Sequence, residues 1–148
     1  MKVLFPSEEF FEALKIRMAE QRARFEKLGY FDATLGVRVL EKDGTRREYL
    51  LAFDVYDCTE VRGVDDLVGE DPDFILEATV ERWQEMLRNI QENGAADAEH
   101  GINTLTHFGD SMRVIYDDPE RHDKLFRFSE SIQGFFDLAA GVEIEYAT

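Results

Sequence analysis

The sequence predicts an α+β fold, a largely antiparallel sheet of about five strands covered by helices, in one domain over residues 1–148. Three observations carry it. Two runs of alternating apolar and polar residues flank an Asp43-Gly44 turn. Three segments, starting at Ser7, Thr79 and Pro119, repeat apolar residues at helical spacing. The strands come in a run with helices on either side, not in strict strand–helix alternation, which argues against a doubly wound sheet.

Ser7 followed by Glu8 and Glu9 is a helix start, and Phe11, Leu14, Met18, Phe25 and Leu28 continue as one stripe until Gly29. Gln21 falls on that stripe, so the seam is expected to be partly buried. ATLGVRVL and EYLLAFDVY form the hairpin around Asp43-Gly44, and CTEVRGV reads as a third strand. DDLVGEDPD is acidic, contains Gly69 and Pro72, and is expected to be a loop. DFILEA is a fourth strand that runs into the helix VERWQEMLRNIQEN, capped by Thr79 and stopped by Gly94. AADAEHGINTLTHFG is a less regular helical stretch, and SMRVIY is a fifth strand. Asp118-Pro119 opens a long helix whose apolar face runs through Leu125, Phe128, Ile132, Phe135, Phe136 and Ala139. VEIEY alternates once more and is expected to add a last strand.

A chain of 148 residues with 44% apolar residues and twelve Phe can build one core without disulfides or metal. Seventeen Lys and Arg against thirty-two Asp and Glu leave a net charge of −15, a poor match to nucleic acid or an anionic membrane. The basic residues Arg22, Arg24, Lys27, Arg46 and Arg47 do not adjoin the aromatics that a single-strand groove requires, so no nucleic-acid partner is expected. The amino-terminal MKVLFPSEEFFE lacks a sustained apolar stretch, no run is long enough to span a membrane, and EIEYAT carries no retention or peroxisomal address. A cytoplasmic protein without stable membrane insertion is the expectation.

Catalytic signatures are sparse. Cys58 is the only cysteine, and the acids Asp57 and Glu60 beside it raise its expected pKa. His100 and His107 are seven residues apart across Gly101, not at the i, i+3 or i+4 spacing of helical metal ligands. Glu77 lies on the opposite face of its strand from Phe74 and Leu76 and reads as solvent-facing. No catalytic residue, cofactor or metal is therefore assigned. What remains is an apolar surplus in the second half of the chain. Trp83, Leu87 and Ile90, then Leu105 and Phe108, then Phe128, Ile132 and Phe136 form three helical stripes. Packed against one sheet they make a core, or the lining of an elongated cavity for an apolar ligand, with Asn103, Thr104 and Thr106 as polar anchors.

The stretches DFILEATVERWQEML and HFGDSMRVIYDDPERHDKLFRFSESIQGFF, after a long helix and a hairpin extended to a third strand, resemble the sterol carrier protein family, its type two sterol-transfer domain. The resemblance runs over nearly the whole chain. It implies a five-stranded sheet under helices with an apolar tunnel, a lipid or other hydrophobic small molecule as ligand, and Trp83, Leu87, Leu105 and Phe108 at the tunnel wall. The segment ENGAADAEHGINTLTHFGDSMRV carries acids where that family often has basic residues. Non-enzymatic binding or transfer of a hydrophobic molecule is the function this favours. The alternatives are an enzyme using Glu77 or His107 on an apolar substrate, and a module that forms a homodimer through the first helix.

Overall fold

The computed structural model describes residues 2–107 and 111–147. A five-stranded sheet is its centre. β2 (Ala33–Leu40) and β3 (Arg46–Asp54) are the hairpin around Gly44, and β4 (Asp57–Val64) extends it antiparallel. The chain then crosses to the other side of β2, where β5 (Phe74–Thr79) pairs parallel to it. β6 (Arg113–Ile115) closes that edge antiparallel to β5. The crossing passes through α3 (Leu67–Glu70), a single turn capped by Asp66 inside the segment expected to be a loop.

Alternation sorts the sheet into two faces. Leu35, Val37 and Val39 of β2 stand beside Leu51 and Tyr49 of β3 and Phe74, Leu76 and Ala78 of β5, all buried under the helices. The helical layer consists of α1 (Glu8–Glu20), α2 (Arg22–Leu28), α4 (Val80–Asn93), α5 (Ile102–His107), α6 (Pro119–Arg127) and α7 (Ser129–Asp137). Ser7, Thr79 and Asp118 cap α1, α4 and α6 through their side chains, as the sequence suggests.

Two long helices of the sequence reading are each divided. The first breaks at Gln21, where φ is −112° and ψ is 37°, so the polar residue on the apolar stripe occupies a joint. Phe11, Leu14 and Met18 are fully buried within the chain's own core. The last breaks at Phe128 (φ −111°, ψ 20°) into α6 and α7, then tightens into a 3₁₀ turn, Leu138–Gly141. VEIEY does supply a strand, β7 (Ile144–Tyr146), but it joins no edge of the main sheet. It pairs parallel with β1 (Val3–Phe5), which the alternation did not reveal because each partner has three residues.

The opposite face of the sheet corrects the expectation for Glu77. That side chain is 9% exposed and belongs to a row of charges lying across four strands. Arg38 on β2 donates from Nε to Glu48 on β3 at 2.7 Å and from Nη1 to Glu77 on β5 at 2.8 Å. Arg113 on β6 reaches the second oxygen of Glu77 at 3.2 Å. Strand register alone puts these residues side by side. The next row is apolar: Leu50, Ile75 and Leu67 pack around Gly36, with Val64 and Ile115 at its edge. A Cβ on Gly36 would lie 2.9 Å from Ile75 Cγ1 and 3.1 Å from Leu67 Cδ1. Gly36→Ala is therefore expected to lose about 1–3 kcal/mol of unfolding free energy, read from urea denaturation midpoints.

Candidate functional site

The sequence-predicted lining residues are brought together, with one outside the described residues. Trp83, Leu87 and Ile90 on α4, Leu105 on α5, Phe128 at the joint, and Ile132 and Phe136 on α7 all join one buried cluster. Phe108 lies outside the described residues, as does the His107 side chain. Trp83 is 1% exposed, stacks obliquely against Phe136 at 5.6 Å, and donates its indole N–H to the Arg38 carbonyl at 3.1 Å. The buried indole thus fills core and satisfies its polar atom on the backbone of β2. Thr104 and Thr106 donate to the nearby Ala98 and Ile102 carbonyls, so local backbone already engages both hydroxyls.

What the sequence did not reveal is a path of rings from the surface to Trp83. Gly29, at φ 99°, stops α2 and turns the chain so that Tyr30 points out and Phe31 points in. The Phe31 N–H donates to the Val55 carbonyl at 2.8 Å and fixes this corner. Tyr30 meets Phe128 at 6.1 Å between ring centres, Phe128 meets Phe31 at 5.5 Å, and Phe31 stacks on Phe53 at 4.4 Å. Phe53 meets Phe135 edge-on at 4.9 Å, Phe135 meets Phe136 at 5.7 Å, and Trp83 follows. Four elements distant in sequence supply this file, so no single periodic pattern contains it.

The outer end of the file is a groove of about 430 Å³ between the end of α2 and the α6–α7 joint. Leu28, Tyr30, Phe126 and Phe128 give it apolar walls, and Arg127, Ser129, Glu130 and Ser131 supply polar groups. Tyr30 is 54% and Phe126 46% exposed, so large aromatic area meets water at the mouth. The Tyr30 hydroxyl is held by Asp32 at 3.1 Å, and that acceptor pushes its pKa above the ordinary phenol value.

The candidate chemical groups lie elsewhere. Both oxygens of Glu77 are held by arginines on the outer face of the sheet, away from the apolar stripes. Cys58 is buried, and burial, more than its acidic neighbours, pushes its thiol up to about 12. His122 stacks flat on Tyr116 at 3.8 Å.

His100 sits between Asp97 (2.7 Å from Nδ1) and Glu85 (3.3 Å from Nε2), fastening the α4–α5 connection to α4. The Asp97 hydrogen bond raises its pKa above the ordinary 6.5. A raised value in the folded state means that this fastening contributes fully below the unfolded imidazole value and is lost as pH rises through the folded one. A proton NMR titration of His100 should accordingly show a midpoint above 6.5, returning toward it in Asp97→Asn.

No family model matches the sequence, and no curated protein is significantly similar to it. Solved structures do match. The solution structure of a conserved hypothetical protein from Thermus thermophilus, described as possibly a sterol carrier protein, aligns at a TM-score of 0.68 and 16% identity over 94% of this chain and 90% of its own. A crystal structure of sterol carrier protein 2 aligns at 0.66 and 15% identity, covering 92% of this chain and 97% of that one. Apo sterol carrier protein 2 from Yarrowia lipolytica aligns at 0.50 and 14% identity over 88% of each. At these identities the shared property is the fold, and the fold is that of the sterol carrier proteins.

Proposed function

We propose that this chain binds and carries a hydrophobic small molecule or lipid without transforming it. The carrying observation is the groove at Tyr30 and Phe128, because Phe128 is at once a wall of that groove and a member of the file of contacting rings that reaches Trp83. An apolar molecule seated at the mouth gains affinity by removing the exposed area of Tyr30 and Phe126 from water, with few polar groups fixing one end. The residues at the mouth are Leu28, Tyr30, Phe126 and Phe128; those farther in are Phe31, Phe53, Phe135, Phe136, Ile132 and Trp83. Leu87, Ile90 and Leu105 pack around the deep end. Neighbours in fold named as sterol carrier proteins support a hydrophobic ligand.

Among the described residues no helix is long and apolar enough to cross a membrane. Native mass spectrometry of freshly purified protein, then solvent extraction, is the test. A released fatty acid, sterol-like or aromatic compound establishes the function and names its ligand class. A clean mass, followed by unchanged Trp83 emission on titration with a fluorescent fatty acid, would refute it.

A further inference from the structure

α6 is attached unlike its neighbours. α4 and α7 each bury several large side chains, whereas Leu125 is the one buried residue of α6. Among the described residues, the rest of its hold is a ring contact, His122 stacked on Tyr116 at 3.8 Å, and a set of ion pairs. Asp73, 7% exposed just before β5, takes Arg121 Nε on Oδ1 at 2.9 Å and Lys124 Nζ on Oδ2 at 3.2 Å. Its Oδ2 also accepts the Thr34 backbone N–H at 2.7 Å, which ties the carboxylate to β2. The remaining nitrogens of Arg121 bond Asp71, at 2.8 Å to its carboxylate and 2.6 Å to its carbonyl. The far end of α6 is the Phe128 joint, where no side chain caps the start of α7. Phe128 is also the second ring of the file, and Phe126 lines the groove.

We infer that α6 is a lid over the aromatic file, hinged at Phe128 and latched by Asp73 through Arg121 and Lys124. The inference rests on the carrier function proposed above and gives that site its access route. The attachment suits a latch because Arg121 and Lys124 keep 30% and 26% of their side chains in water, so both regain hydration cheaply on release. An outward swing about Phe128 moves Phe126 away from Tyr30 and widens the groove, while α7 keeps its place in the core.

The test is Arg121→Ala/Lys124→Ala, read by two measurements. Hydrogen exchange of residues 119–127 needs no ligand: it should accelerate at least tenfold in the variant, with α4 unchanged. Stopped-flow mixing with a fluorescent fatty acid should show association and dissociation rates rising together severalfold, with Kd within about threefold, because a lid alters the path and not the bound state. Exchange on α6 that stays as slow as on α4 would overturn the latch, as would faster exchange with unaltered ligand rates. A wild-type protein that binds no probe sinks the carrier function, and the exchange result then decides the latch alone. Should the double variant fail to fold, both readouts pass to Arg121→Lys, which keeps the charge but loses the fork to Asp71 and Asp73, and the same criteria apply.

Discussion

Replacing Arg38 with methionine destabilises the protein by about 3–5 kcal/mol, the cost typical of removing one partner from a buried ion pair. Arg38 is 7% exposed, and its two carboxylate partners, Glu48 and Glu77, are 2% and 9% exposed. Methionine matches much of the removed volume, so packing loss is small and the stranded acids dominate. Arg113 still neutralises part of Glu77, whereas Glu48 has no other ion pair among the described residues. Equilibrium urea denaturation measures the loss. Converting the set together, as Arg38→Met/Glu48→Leu/Glu77→Met, should return stability to within about 1 kcal/mol of wild type, because uncharged neighbours of similar size need no partner. A single Arg38→Met variant losing less than that amount would show that the row is solvated and not a buried ladder.

This row marks the boundary of what the sequence disclosed. Alternation in DFILEA places Glu77 opposite Leu76, and the structure agrees. Alternation cannot say what stands beside that side chain, because the partner Arg38 is 39 residues away on a strand paired in parallel. The helices were legible as apolar stripes, yet their breaks were not. Gln21 and Phe128 both continue the spacing of their stripes, and a joint that keeps the apolar face inward leaves periodicity almost intact. Of the buried residues proposed to line a site, Trp83, Phe128, Ile132 and Phe136 were readable as inward-facing because each lies on a helical stripe. The place of Tyr30, Phe31 and Phe53 beside them was not readable, since two belong to a corner after Gly29 and the third to a strand. Their convergence is a property of the assembled layers.

Phe53→Ala is expected to cost about 3–5 kcal/mol and, at the same time, to strengthen binding of an apolar ligand. Phe53 sits between Phe31 and Phe135 in the middle of the file, at 4.4 Å and 4.9 Å. Truncation leaves an apolar void there, and a void lined only by rings and aliphatic groups stays dry. A hydrophobic molecule entering from Tyr30 regains the lost contacts, so a saturating fluorescent fatty acid should raise the thermal midpoint of the variant more than that of wild type. Phe10→Ala is the control. Phe10 is equally buried, packed against Phe5 at 5.0 Å and Phe11 at 5.1 Å, and among the described residues no ring contact links that trio to the groove. It should lose comparable stability and gain no affinity. If the two variants respond alike, a cavity anywhere in the core recruits the probe, and the file has no special role. A gain confined to Phe53→Ala would mean that the groove and the deep core are one continuous path, with wild-type affinity set by the work of parting its rings.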